Sequence, residues 1–203
     1  MRKPKLRELG EALKVIFLEG PYTSKFPAEP TVPPETFRGK PAFDPDVCIG
    51  CGACAEVCPS RSIEVIDDLE TGTRTINLRY DICNFCGQCH AYCTTETGID
   101  YTTEYDLASA DRSSFVETVE KELAFCEICG GVAGTKDHLR WIAKRLGSLA
   151  YANPSLILAD MDAMSRLEPI HDREKNRDIS REDIFRILCP SCRRKVYLTE
   201  EWS

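Results

Sequence analysis

The first regular apolar pattern in the chain runs from residue 6 to 18. Leu6, Leu9, Leu13, Ile16 and Phe17 recur at helical spacing, with Arg7, Glu8, Glu11 and Lys14 between them. This predicts an amphipathic helix of about three turns, which either docks on a membrane surface or partner subunit or packs on the chain's own core. Residues 21 to 45 break the pattern. Seven prolines in that stretch deny it helix and sheet interior. It also carries Tyr22, Phe26, Phe37 and Phe43, which a solvated linker does not need, so a strap laid over a protein surface is expected.

Two runs of β-type residues follow, Ser62 to Asp67 and Arg74 to Arg79, joined by a turn around Asp68 and Gly72. Residues 99 to 103 suggest another short strand. The pattern then turns helical. Ser114 with Glu117 reads as a capping box opening a helix to about Leu123. Thr135 or Asp137 caps a second helix ending at Gly147, and Asn153-Pro154 starts a third. Ser180 with Asp183 starts a short fourth that runs into Cys189. The charged run from His171 to Asp183 is expected as a solvated loop and helix face.

Composition adds one departure from the ordinary. Hydrophobic residues at 42% and charged residues at 29% are usual for a globular chain, but twelve cysteines are not. The basic start, Met1-Arg2-Lys3-Pro4-Lys5, leads into no apolar signal core. No apolar run approaches the ~20 residues of a membrane span. The expectation is therefore an intracellular chain whose cysteines bind metal rather than pair as disulfides. The formal charge is −7. Three tetrathiolate sites at about −2 each would take it to roughly −13, a poor charge for gripping nucleic acid.

The cysteines fall in a repeat. Cys48-Ile-Gly-Cys51-Gly-Ala-Cys54-Ala-Glu-Val-Cys58-Pro59 recurs 35 residues later as Cys83-Asn-Phe-Cys86-Gly-Gln-Cys89-His-Ala-Tyr-Cys93, preceded in each case by Asp-Val or Asp-Ile. Three cysteines two residues apart wrap a loop around an iron–sulfur cubane, and the fourth points at the other cluster. The spacing therefore assigns Cys48, Cys51, Cys54 and Cys93 to one 4Fe–4S cluster and Cys83, Cys86, Cys89 and Cys58 to a second. Gly50, Gly52 and Gly87 let backbone approach the core, and Ile49, Val57, Ile63, Ile82 and Phe85 are expected to seal the clusters from water. The second motif has Thr94 where the first has Pro59. His90 displaces no cysteine and is read as a surface or packing residue.

Cys126-Glu-Ile-Cys129 and Cys189-Pro-Ser-Cys192 form two further knuckles. Four thiolates so arranged suit structural zinc, with a mononuclear rubredoxin-like iron as the alternative. His138 and His171 are spare. Gly130-Gly131-Val-Ala-Gly134 follows a knuckle rather than a strand and matches no phosphate loop. No nucleophile–base constellation is present, so the expected role is non-catalytic electron transfer.

The tandem motif, preceded by an amphipathic helix and a proline-rich strap, resembles the two-cluster subunit of respiratory complex I, the 23 kDa-subunit family. It resembles still more the equivalent subunit of complex I-related membrane-bound nickel–iron hydrogenases, including formate hydrogenlyase. Pro33-Pro34-Glu35-Thr36-Phe37-Arg38-Gly39-Lys40-Pro41 is similar to the strap of those hydrogenase subunits, and the paired knuckles are similar to a hydrogenlyase-type extension. The resemblance implies a peripheral place on the cytoplasmic face of the membrane, against a membrane-arm subunit. Electrons would pass from a ferredoxin, formate or CO-oxidising module to the hydrogenase small and large subunits. The alternatives are a complex I-type quinone-reducing dehydrogenase and a free soluble ferredoxin. The expected fold class is α+β: an N-terminal helix and strap (1–45), a bacterial two-cluster ferredoxin-like domain (46–105), and a helical extension with a four-cysteine metal site (106–203).

Overall fold

The computed structural model describes residues 6–19, 25–29, 31–163 and 179–198. It divides into two compact units, Met1–Phe37 and Arg38–Ser203. In the first unit, helix α1 (Leu6–Lys14) continues into a π-helical turn, Val15–Glu19. Leu6, Leu9, Leu13, Ile16 and Phe17 are all exposed along it. His171 and most of its charged run lie outside the described residues.

The second unit is built on a four-stranded antiparallel sheet. Its strands are β2 (Ile63–Asp68), β3 (Thr73–Arg79), β5 (Val116–Phe125) and β6 (Val132–Thr135), in that spatial order. A two-stranded ribbon pairs β1 (Pro41–Phe43) with β4 (Ile99–Tyr101), so the strap ends as a strand. β2 and β3 turn at Asp68–Gly72 as the sequence predicts, with the Asp68 carboxylate accepting from the N–H groups of Glu70 and Thr71. Alternation along β3 sends Ile76 and Leu78 into a core with Cys54, Ile63, Tyr80, Ile99 and Val119. Truncating a side chain as buried as Leu78 to alanine costs about 2–5 kcal/mol.

The expected helix over 114 to 123 is instead a single 3-10 turn, Arg112–Phe115, followed by β5. Asp111 caps that turn, accepting from Ser113 N–H, and Ser114 donates its hydroxyl to the Asp111 carbonyl. Glu117, needed to close a capping box, is bound elsewhere. Its carboxylate accepts from the Phe43 N–H at 2.7 Å and from the Tyr80 hydroxyl. Seven residue pairs with β3, from Thr73↔Glu122 to Arg79↔Val116, outweigh the local helical signal. The extension therefore begins as sheet, and only its remainder is helical.

That remainder comprises α4 (Lys136–Leu146), a 3-10 segment Gly147–Ala152, α5 (Pro154–Ala163), a 3-10 turn Arg181–Phe185 and α6 (Pro190–Leu198). Thr135 caps α4, Gly147 ends it, and Pro154 opens α5, as expected. The Ser180/Asp183 capping box is present but opens only the 3-10 turn. The chain reaches Cys189 without helix, and α6 starts after it. No described helix is long and apolar enough to cross a membrane.

Candidate metal centres

The two cysteine motifs each carry a one-turn helix, α2 (Ala53–Glu56) and α3 (Gln88–Ala91), which open after Gly52 and Gly87 at φ 79° and 81°. The internal repeat extends to the backbone. Gly50 (φ 67°) matches Phe85 (φ 51°), and Arg61 (φ 51°) matches Glu96 (φ 69°), each pair 35 positions apart.

Cys48, Cys51, Cys54 and Cys93 line one cavity of about 310 Å³, walled by Phe43, Ile76 and Ile99. Cys58, Cys83, Cys86 and Cys89 line a second of about 320 Å³, walled by Ile63, Leu78 and Tyr101; both volumes include space open to solvent. Each cavity thus takes three cysteines from one motif and the last cysteine of the other, the crossed arrangement read from the spacing. All twelve cysteines are free of disulfides. Neither lining contains a carboxylate. Four soft sulfur donors against apolar walls fit a 4Fe–4S cluster, which when bound supplies a one-electron redox couple.

Hydroxyl groups stand at the sulfurs. The Cys58 Sγ has Ser62 Oγ at 3.2 Å, Ser60 Oγ at 3.6 Å and the Ser62 N–H at 3.3 Å. Cys51 Sγ lies 3.2 Å from Thr94 Oγ1, and Cys93 Sγ lies 3.5 Å from Thr95 Oγ1. Against a thiolate each hydroxyl is the donor. Burial pushes the Cys54 thiol up to about 12, and it raises Cys48 and Cys89 as well. Burial also acts to raise Cys58, but the Ser62 and Ser60 hydroxyls and neighbouring N–H groups outweigh it, bringing that thiol down to about 7. Burial favours the neutral thiol, so a bound metal must offset the cost of its ionisation. Thr94 occupies the position that holds proline in the first motif, so that departure supplies a sulfur contact.

The loops differ in cover. Ile49 and Ile63 are buried as expected, whereas Ile82 and Phe85 are 43% and 38% exposed, Phe85 still lining the second cavity. The second motif lies nearer the surface, with Cys86 exposed. His90 turns away from ligation: its Nδ1 lies 3.2 Å from the Ile99 carbonyl and its ring 5.2 Å from that of Tyr101.

The four remaining cysteines also converge. The Sγ atoms of Cys126, Cys129, Cys189 and Cys192 all lie within 4.8 Å of one another, and Cys129 and Cys189 are 3.7 Å apart. A regular tetrahedron of thiolates at a bond length of about 2.3 Å has edges of ~3.8 Å, so this set could hold one metal ion. A cubane would need its ligands farther apart. Gly131 N–H donates to Cys129 Sγ and Cys192 N–H to Cys189 Sγ. Burial acts to raise Cys126, but the N–H groups of Cys129, Cys189 and Ile128 outweigh it and bring the thiol down to about 7; burial first, then the neighbouring thiols, raises Cys192. The glycines of 130 to 134 serve the knuckle and β6. His138 stands apart from the sulfurs, its ring 6.5 Å from that of Trp141.

Residues 36–97 match the family model for a 4Fe-4S dicluster domain. Subunit I of a Geobacter metallireducens NADH-quinone oxidoreductase is 31% identical over 131 residues, covering 61% of this chain and 98% of that protein. The chain belongs to the complex I 23 kDa-subunit family. Formate hydrogenlyase subunit 6 of Escherichia coli is 37% identical over 119 residues, 58% of this chain and 64% of that protein. Subunit I of the Gloeobacter violaceus NAD(P)H-quinone oxidoreductase is 34% identical over 113 residues, 51% of this chain and 53% of its own length. The chain thus spans between half and two thirds of these last two. A chain of the archaeal membrane-bound sulfane sulfur reductase aligns over 56% of this chain and 60% of its own, at 29% identity and a TM-score of 0.39. As a member of the complex I 23 kDa-subunit family, the protein is an iron–sulfur subunit, and its two four-cysteine cavities fall to the dicluster domain.

The sequence located all twelve cysteines but not Ser60, Ser62, Thr94 and Thr95, which lie beside the sulfurs. Their signal is position: each follows the last cysteine of its motif by one to four residues.

Proposed function

We propose that the chain relays single electrons within a membrane-bound nickel–iron hydrogenase complex. One 4Fe–4S cluster is held by Cys48, Cys51, Cys54 and Cys93, and the other by Cys83, Cys86, Cys89 and Cys58. The observation that carries this is the pair of four-cysteine cavities, each built from both halves of the repeat. Sharing ligands between halves fixes the two centres side by side, which electron transfer needs.

The chain's own groups then do three things. Their thiolates hold iron. Ile49, Ile63, Ile76 and Leu78 keep water from the inner faces. Ser62, Ser60, Thr94 and Thr95 stabilise negative charge on sulfur and so favour the reduced state. The third site, Cys126, Cys129, Cys189 and Cys192, holds structural zinc in this reading, with mononuclear iron as the alternative. A closed set of four thiolates leaves no coordination position for a substrate, which agrees with a non-catalytic subunit.

The exposed apolar side chains of α1 would meet a membrane-arm subunit, at the cytoplasmic face of the membrane, and the strap would lie on a neighbour. The hydrogenase small and large subunits would accept electrons from a ferredoxin, formate or CO-oxidising module. The similarity to formate hydrogenlyase subunit 6 supports this choice. The match to nearly all of a quinone oxidoreductase subunit supports the second reading, a quinone-reducing dehydrogenase.

Anaerobic purification of the native complex, with metal analysis and subunit identification, separates them. The first reading expects about eight irons and one zinc in this chain, and nickel in a co-purifying partner. Quinone reduction without nickel would establish the second. A monodisperse monomer absent from membranes would point to a free ferredoxin and overturn both.

A further inference from the structure

Three carbonyls of the first cysteine loop accept hydrogen bonds from side chains of the sheet and its extension. Arg74 donates to the Gly50 carbonyl at 3.0 Å, Lys121 to the Pro45 carbonyl at 2.6 Å, and the Thr135 hydroxyl to the Ile49 carbonyl. Both cations are themselves anchored, Arg74 on Asp67 and Lys121 on Asp137. Thr135 is fully buried. It accepts from the His138 N–H as the cap of α4, so its single hydroxyl proton is committed to Ile49.

Thr135 is also the last residue of β6, and β6 begins directly after the third-site knuckle. The knuckle is closed by the Cys126 N–H on the Gly131 carbonyl and the Gly130 N–H on the Cys126 carbonyl, at 2.8 and 2.9 Å. Among the described residues β6 pairs only with β5, through Leu123↔Thr135, Ala124↔Gly134 and Phe125↔Val132. Its position thus depends on that strand, on α4, which Thr135 caps and whose Leu139 packs beside Gly134, and on the knuckle that Cys126 and Cys129 form with Cys189 and Cys192. Gly50 records the same closeness. A Cβ there would stand 2.9 Å from the Thr135 methyl and 3.0 Å from Lys121 Cγ. Its counterpart Phe85 has room for a full side chain, which lines the second cavity and stays 38% exposed.

We propose that the four-cysteine metal site braces the ligand loop of the first cluster, with Thr135 as the positioning residue between them. This rests on the reading above, that metal occupies the site and clusters occupy the two cavities. Metal at the four thiolates fixes the tip of the β5–β6 hairpin, β6 carries that constraint four residues to Thr135, and Thr135 holds the Ile49 carbonyl beside Cys48. The second cluster, whose loop is covered at Gly87 by Tyr101 and Arg38 and not by the extension, does not feel it.

The test uses the anaerobically purified full chain with both clusters. Their low-temperature paramagnetic signals are assigned by Cys51→Ser and Cys86→Ser, each of which alters one cluster. Chelation of the third metal is expected to shift the midpoint and line shape of the first cluster and leave the second in place. Thr135→Val keeps the shape and removes the hydroxyl; it should reproduce that shift with the third metal retained, and chelation should then add nothing. Thr135→Ser should behave as the unmodified protein. A first cluster indifferent to chelation and to Thr135→Val, or two clusters that move together, overturns the brace. Iron and zinc counts on the same samples separate the failures. Full iron with an unmoved first cluster refutes the brace alone, whereas missing iron or an empty third site refutes the proposed function and the brace with it.

Discussion

Replacing Ser62 by alanine removes the nearest hydroxyl from Cys58, the thiolate that the first motif contributes to the second cluster. Ser62 is 1% exposed, so water does not take its place. Its oxygen lies 3.2 Å from Cys58 Sγ, closer than that of Ser60 at 3.6 Å, while the Ser62 N–H contact survives the substitution. A hydrogen bond to a charged acceptor is worth about 1.5–3 kcal/mol. Only the part that grows on reduction moves the potential. One added electron is shared over the whole cluster and its four thiolates, so about a third of that energy, roughly 0.5–1 kcal/mol, is a reasonable share. For a one-electron couple, where a factor of ten corresponds to 59 mV, this lowers the midpoint by roughly 20–40 mV. Redox titration followed by paramagnetic resonance reads both clusters in one sample. Ser62→Ala should shift only the second, and Ser60→Ala should shift it less. An unmoved second cluster, or an equal shift in both, would refute the idea that these hydroxyls act directly on the sulfur.

Two further outcomes follow from the loops and the sheet. Gly50→Ala places a Cβ at φ 67° and within 3 Å of the Thr135 methyl; a destabilisation of about 1–3 kcal/mol and loss of iron from the first cluster are expected, measured by thermal unfolding and iron content, whereas Phe85→Ala should retain both clusters. Asp67 is held below the usual carboxylate range by hydrogen bonds from Arg74, so the pair contributes stability at neutral pH that is present above the unfolded carboxylate value near 4 and is lost as pH falls through the lower folded value. Denaturant melts should show that acid-limb loss in the unmodified chain and a flatter limb in Asp67→Asn, with Arg74 still able to reach Gly50.

Covalent spacing makes the cysteines legible, because a cubane or a tetrahedral ion leaves little freedom in how its ligands are spaced within each loop. The same repeat carries the backbone: Arg61 and Glu96 share a left-handed conformation that neither side chain announces. β5 was illegible for a definite reason. Val116, Val119 and Leu123 sit at i, i+3 and i+7, and Ser114 with Glu117 imitates a cap, so local rules favour helix. Its strand conformation comes from β3, which lies about 40 residues earlier (Asn77↔Thr118). β6 is four residues with a glycine inside and carries too little pattern to read. α6 is hidden because Pro190, which suits the first position of a helix, suits a metal knuckle equally well. The crossed cavities followed from spacing, but the Thr94 hydroxyl at Cys51 required knowing which loop faces which.

β3 lies inside the sheet, with β2 along one side and β5 along the other. The tail is therefore no detachable appendage. A chain cut after Tyr105 would keep every iron–sulfur ligand yet uncover Ile76 and Leu78, and it would leave the free flank of β3 as a row of unsatisfied amides and carbonyls. Such a flank recruits a second copy of itself, so a minimal two-cluster carrier carved from this protein should assemble into ribbons rather than diffuse.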